Sequence, residues 1–295
     1  MQNFLLNINM LDEYSSWKQN KLANLSDNIE NIRVNISDPS KLTSAERSEI
    51  LRHCDQMGMC FYKLSDPQKT DKSFIREMGM QIGMHTLDTN LCADKDSITS
   101  LEARDDGRQQ GYIPYTRNRL NWHTDGYYNT EKQIIRGIIM HCVRPASAGG
   151  ENQFLDPELL YIHLRDINPA FITALTQHDA MTIPPNIENG VAVRAAQTGP
   201  VFSIDNQSGR LHMRYTARTK SIEWKRDATL EKALLQIREF LLSDTHWILR
   251  YKLQAGEGII CNNVLHNRSA FDDSSNAKQT RLLYRARFYE RVINQ

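Results

Sequence analysis

Arg281-Leu282-Leu283-Tyr284-Arg285-Ala286-Arg287-Phe288-Tyr289, close to the end of the 295-residue chain, reads as a β-strand with two unlike faces. Successive side chains of a strand point to opposite sides, so Arg281, Leu283, Arg285, Arg287 and Tyr289 share one face and Leu282, Tyr284, Ala286 and Phe288 the other. The second face is core-facing. The arginine face has two readings: a solvated edge strand, whose row of cations also discourages aggregation, or the polar interior of a barrel. Composition alone does not decide between them.

Working outward, residues 248–253 and 258–261 are further short strands, and 134–143 and 59–62 are strand candidates upstream. Residues 202–204 and 211–215 flank a turn with Gly209 near its end, which is a hairpin signal. Helical patterns lie between these strands. One covers roughly 10–21. A second opens on the capping box Thr43-Ser44-Ala45-Glu46, carries Ile50, Leu51 and Cys54 on one face, and stops at Gly58. A third covers 67–82, and two more fall within 157–178 behind Asp156 and Pro157, an N-cap followed by proline at the first helical position. The last covers 227–242. The stretch 83–120 is polar and loop-like, with Arg104-Asp105-Asp106-Gly107-Arg108 at its most exposed point. Short strands with helical inserts and no βαβ alternation imply a mostly β chain with an antiparallel barrel or jelly-roll core flanked by α-helices. Residues 1–35 read as an N-terminal extension packed on the outside, and 36–295 as a single domain.

Lys plus Arg (36) almost cancels Asp plus Glu (35), and the chain is 40% hydrophobic. Such a balance gives no long-range field for nucleic acid or anionic membrane, which leaves a small molecule as the expected partner and a homo-oligomer open. There is no basic leader and no apolar run approaching the ~18 residues of a membrane span, so a cytoplasmic location is expected. The five cysteines are scattered, odd in number and without C-x-x-C spacing, so neither a disulfide framework nor a zinc knuckle is indicated.

The chemistry concentrates in two places. His123 and Asp125 are two residues apart, which at an extended strand end places both on one face. His266 follows an apolar strand some 140 residues later. Together they match a 2-His-1-carboxylate facial triad, which leaves half of an iron's coordination sphere open for an oxidant and O2. Each piece has a bland alternative: H-x-D arises by chance, and a histidine after an apolar strand is commonly a hydrogen-bonded core residue. His141 and His212, also on strands, are read as structural or supporting residues. If the arginine face of 281–289 is interior, Arg281 can hold a carboxylate through its planar fork.

The pattern Trp122-His123-Thr124-Asp125, then Gly149-Gly150-Glu151-Asn152, then Leu265-His266-Asn267-Arg268-Ser269-Ala270-Phe271, then Arg281-x-x-x-Arg285 resembles the taurine dioxygenase and 2,4-dichlorophenoxyacetate dioxygenase superfamily of Fe(II)/2-oxoglutarate-dependent oxygenases. The resemblance covers roughly residues 40–290. It implies a double-stranded β-helix, Fe(II) held by His123, Asp125 and His266, O2 as oxidant, and the distal carboxylate of 2-oxoglutarate on Arg281. Where family members commonly carry Thr, this chain has Asn152, whose amide can donate in its place. The resemblance further points to Arg285 for an anionic end of the substrate, while Tyr127 and Tyr128 are candidates to line the substrate pocket. Asp125 argues against halogenation, which in this superfamily uses a small residue at that position. Hydroxylation of a protein or carrier-bound substrate, and a metal- or ligand-binding barrel without turnover, are the competing readings.

Overall fold

The computed structural model describes residues 3–69, 71–89, 92–103, 109, 112–273 and 280–293, so the expected exposed point at 104–108 lies outside the described residues. The first elements in chain order are α1 (Leu11–Ala23), β1 (Arg33–Ile36), α2 (Ser44–Met57), β2 (Met59–Leu64), α3 (Ser73–Gln81), β3 (Thr99–Leu101), β4 (Leu120–His123) and β5 (Gly137–Arg144). Then come β6 (Ala148–Gly149), β7 (Asn152–Leu155), α4 (Pro157–Ile167), α5 (Pro169–Leu175), β8 (Met181–Ile183), β9 (Asn186–Glu188), β10 (Val191–Arg194) and β11 (Gln197–Gly199). The rest are β12 (Phe202–Ile204), β13 (Leu211–Met213), β14 (Glu223–Trp224), α6 (Ala228–Leu242), β15 (Leu249–Tyr251), β16 (Glu257–Cys261), β17 (Leu265–Arg268), β18 (Phe271–Asp272) and β19 (Leu282–Phe288). No helix among the described residues is long and apolar enough to cross a membrane.

Contacts divide the chain into two compact units: unit 1 comprises Met1–Asn24, Asn121–Ile134 and Leu155–Ile248, and unit 2 comprises Leu25–Leu120, Ile135–Phe154 and Leu249–Gln295. Residues 33–36, which straddle the expected boundary at 35/36, form a single strand.

Unit 2 is built on a six-stranded sheet in the order β1-β2-β16-β5-β19-β3. The β1–β2 pair is parallel and the others are antiparallel. Alternation along each strand separates two apolar faces. Phe61, Ile138, Met140, Ile259 and Leu283 share a core with Phe154 of β7, Leu249 of β15 and Val264, which precedes β17. On the other face Tyr62, Ile139, Ile260 and Phe288 pack with Ile50 and Cys54 of α2 and with Phe74, Ile75 and Met78 of α3. Helix α2 starts at the expected capping box, Thr43 accepting from the Glu46 N–H, and ends at Gly58, whose φ of 69° suits a residue without Cβ. Helix α3 starts at Ser73 rather than near 67, because the Asp71 side chain accepts from the Ser73 N–H and nucleates the helix there.

β3 is the element that settles the arginine face. It lies inside the stretch expected to be loop, and pairs Leu101 with Leu283, Ser100 with Tyr284 and Thr99 with Arg285. With β5 on its other side, β19 is a covered strand, and Arg281, Arg285 and Arg287 are all buried. The solvated-edge reading therefore fails. A second cross-sheet row explains His141: Tyr62, Gly258 and His141 are aligned across β2, β16 and β5, and the Tyr62 hydroxyl bonds His141 Nδ1 at 3.1 Å. A Cβ on Gly258 would lie 2.3 Å from the Tyr62 ring, so glycine is the residue that lets the two side chains meet.

Unit 1 contains α1, α4, α5 and α6, the three-stranded sheet β11-β8-β14, and two hairpins, β9/β10 and β12/β13. The β12/β13 hairpin has the expected pairing, Phe202 opposite Met213. The β9/β10 hairpin was not expected, although Asn189-Gly190 at its tip, both with positive φ, is a turn signal. Asp156 caps α4 through the Glu158 N–H, with Pro157 behind it. The same carboxylate anchors α1, because the buried Lys21 ammonium lies 2.5 Å from Asp156 and 2.6 Å from Glu158.

Burial is the largest influence on Lys21 and opposes its charge, but Asp156 and Glu158 together outweigh it and raise the pKa above 10.5. Removing one partner of a buried ion pair leaves uncompensated charge, at a cost of about 3–5 kcal/mol. Lys21→Met should therefore lower the urea midpoint strongly near neutral pH. A group whose pKa is raised by folding contributes fully below its unfolded value and loses the contribution as pH climbs through the folded one. The difference between wild type and variant should accordingly shrink only above about pH 10.5. Equal midpoints at pH 7 would show that the pair does not hold α1.

Candidate active site

β4 ends at His123, and Asp125 follows in a turn where Gly126 has a φ of 68°. The two are therefore brought together by the end of a strand and the turn after it, rather than by one strand face. This turn is clamped: Thr124 N–H donates to Tyr215 O at 3.0 Å, Tyr215 N–H to Thr124 Oγ1 at 3.1 Å, and Ala217 N–H to Trp122 O at 2.8 Å. His123 Nε2 lies 3.5 Å from Asp125 Oδ1. One ligand atom from each of His123, Asp125 and His266 falls within 4.8 Å of the others, and all three residues are buried.

The two histidines are held alike. His123 Nδ1 is 2.8 Å from Asn121 O, and His266 Nδ1 is 2.9 Å from Val264 O, each the carbonyl two residues before it. A carbonyl can only accept, so each Nδ1 carries a proton, and in the neutral ring this leaves the Nε2 lone pair for a metal. Two neutral imidazole nitrogens and one carboxylate oxygen suit Fe(II) and leave coordination positions open. The turn before β17 is fixed by Asn263, which has a φ of 50° and donates to Ile135 O at 2.7 Å. Asn262 bonds Cys54 O and the Val292 N–H.

The arginine end is built separately, within unit 2. Arg281 is 4% exposed, and its guanidinium forms no hydrogen bond or ion pair among the described residues. It lies 5.0 Å from the Phe271 ring and lines a small cavity with Gly150, Asn152, Lys252, Leu253 and Leu283. Burial pushes its pKa down to about 10. Asn152 donates one amide N–H to Asn267 O at 2.7 Å.

Arg268 and Phe271, which the sequence offered only as parts of a motif, form the wall beside Arg281. Arg268 caps the carbonyls of Pro114, Thr116 and Asn118 at 3.3, 2.8 and 2.5 Å and sits 4.7 Å from the Phe271 ring. Burial first, and Arg281 second, push its pKa down to about 9. Further along β19, Arg287 pairs with buried Asp88, which also accepts from the Tyr289 hydroxyl at 2.8 Å. Arg285 stands between Arg281 and Arg287 on the same strand face, opposite Met140 and Thr99.

In unit 1, Tyr127 meets His123 edge-on at 6.5 Å and Tyr128 at 5.1 Å. Arg218 donates to the Tyr127 hydroxyl at 3.1 Å, and Arg194 lies 5.8 Å from the Tyr128 ring. Arg214 donates to Tyr127 O at 2.7 Å and to the carbonyls of Met181, Gln197 and Gly199. None of these three arginines was singled out from the sequence, although the density of basic residues after Arg210 was visible there. His212 sits on β13, opposite Ser203 of β12.

The family model for the taurine catabolism dioxygenase TauD, TfdA family matches residues 20–287. Two curated relatives are uridine-5'-phosphate dioxygenases. One, from Amycolatopsis sp, is 30% identical over 170 residues, 55% of this chain and 60% of its own length. The other, from Streptomyces sp, is 26% identical over 205 residues, 66% of this chain and 71% of its own length. The chain thus spans 60% of the first relative. Asparagine oxygenase, solved with Fe(II), 3-hydroxyasparagine and succinate, superposes with a TM-score of 0.62 at 13% identity over 84% of this chain and 80% of its own. A Burkholderia xenovorans protein described as an alpha-ketoglutarate-dependent taurine dioxygenase gives 0.57 at 15% identity over 88% and 89%. At such identities these structures establish a shared mixed α/β fold. By the match over residues 20–287, the chain belongs to the taurine catabolism dioxygenase TauD, TfdA family.

Proposed function

We propose that the chain is an Fe(II)- and 2-oxoglutarate-dependent oxygenase that hydroxylates or otherwise oxidises a small anionic or zwitterionic molecule. The observation that carries this reading is the coexistence of the buried His123, Asp125 and His266 group with the buried guanidinium of Arg281. A desolvated cation is costly without an anion, and the distal carboxylate of 2-oxoglutarate supplies one of matching fork geometry. Asn152 keeps a second amide N–H for the same carboxylate. In this reading the six-stranded sheet of unit 2 belongs to the double-stranded β-helix core.

Bound iron supplies the O2 activation that couples conversion of 2-oxoglutarate to succinate and CO2 with oxidation of the substrate. The chain's own residues do the positioning. Asn121 O and Val264 O hold the histidine tautomers that present Nε2. Asp125 contributes the anionic ligand, which leaves no room for halide chemistry. Arg285 is assigned to the anionic end of the substrate, with Tyr127 and Tyr128 against its body. The relatives named for uridine 5'-phosphate support an anionic small molecule and make that nucleotide the first substrate to try.

His266→Ala should abolish succinate release and lower iron occupancy while the circular dichroism spectrum is retained. Full turnover by the iron-loaded variant would remove the triad assignment, and absence of succinate from the wild type with every substrate tried would favour a binding barrel without turnover. Arg281→Ala should raise the KM for 2-oxoglutarate well over tenfold, since unpairing a buried charged contact costs about 2–5 kcal/mol. Asn152→Ala should be milder, and an unchanged KM in Arg281→Ala would place the cosubstrate elsewhere. Arg285→Ala should weaken anionic substrates while sparing 2-oxoglutarate affinity; a best substrate without an anionic group would sink that role.

A further inference from the structure

The cations of this chain are unevenly spread. Residues 191–226 carry seven basic side chains, Arg194, Arg210, Arg214, Arg218, Lys220, Lys225 and Arg226, against two acidic ones, Asp205 and Glu223, in a chain whose total net charge is +1. Three of the seven have clear structural work: Lys225 pairs with Asp179 at 2.9 Å, Arg214 is enclosed by four carbonyls, and Arg194 donates to Pro184 O at 2.7 Å and Ala195 O at 2.9 Å. Arg218 is different. Among the described residues its guanidinium makes one hydrogen bond, to the Tyr127 hydroxyl at 3.1 Å, and no ion pair.

Tyr127 is held rigidly, its carbonyl by Arg214 and its ring edge-on to His123. Its hydroxyl oxygen accepts from Arg218. Its own O–H proton is therefore left to donate, beside the remaining N–H groups of Arg218. A tyrosine O–H and a guanidinium fork with no carboxylate among them form a donor-only set, and the ligand such a set selects is an oxyanion.

We propose that Arg218 and the Tyr127 hydroxyl form an oxyanion-reading subsite that grips a phosphate or carboxylate of the substrate, in addition to the contact assigned to Arg285. The substrate class that follows is a small molecule carrying such a group beyond Tyr127, at the outer end of the residues around His123. The inference rests on the oxygenase reading for its meaning, and its test is chosen to fail separately from that reading.

Inorganic phosphate is titrated into the full-length protein with saturating 2-oxoglutarate present, so that the Arg281 cavity is filled, and binding is read from the phosphorus NMR line width. Arg218→Ala should weaken phosphate at least about tenfold, as expected for loss of a hydrogen-bonded charge contact. Tyr127→Phe should weaken it less, and Arg218→Lys should restore part of the loss. Lys220→Ala, which removes a neighbouring cation from the same basic stretch, should change binding less than twofold. Displacement by acetate tells which oxyanion the site prefers; loss of the preferred one in Arg218→Ala supports the assignment. Equal loss in Lys220→Ala and Arg218→Ala, or no saturable phosphate binding by the wild type, overturns it. Absence of succinate formation by the wild type would remove the oxygenase reading alone, because the phosphate titration needs no turnover.

Discussion

A guanidinium withdrawn from water must be given an anion or a ring of carbonyls, and this constraint organises the interior of unit 2. The strand β19 carries its arginines inward because β3 and β5 take both of its edges and α2 and α3 cover its other face. Each cation then needs its own solution. Arg287 finds Asp88. Arg268 finds the carbonyls of the segment leading towards β4. Arg281 has the face of Phe271 and a small cavity, where the proposed function places a carboxylate.

The metal-binding half follows a different economy, in which main-chain carbonyls decide the state of the side chains. Asn121 and Val264 each use a carbonyl to hold the Nδ1 proton of the histidine two residues on, so the ligating nitrogens need no additional carboxylate to orient them. Such a lock is available only where the backbone is rigid. Around His123 that rigidity comes from the clamp with residues 215–217, and before His266 from Asn263, a residue type that tolerates the left-handed turn required there. Unit 1 repeats the theme with Arg214, which fixes Tyr127 through its carbonyl and leaves the Tyr127 hydroxyl to other partners.

The chemistry was legible in the sequence because it depends on residue type and short spacing. His123, Asp125, His266 and Arg281 are named through the resemblance of their ordered motifs to a family, whereas the two faces of 281–289 follow from strand alternation and the starts of α2 and α4 from their caps. Those features are local, and local stereochemistry does not need the rest of the chain. What only the tertiary structure decided are the outcomes set by partners far away in sequence. Thr99–Leu101, three residues with no strong pattern of their own, become a strand because β19 offers an open edge 180 residues later, and that pairing makes the arginine face interior. His141 is a core residue because Gly258 leaves room for Tyr62 to reach it. Arg268 and Arg218 find their hydrogen-bond acceptors in carbonyls and a hydroxyl contributed by other segments, and no periodicity along the chain encodes where such acceptors will lie.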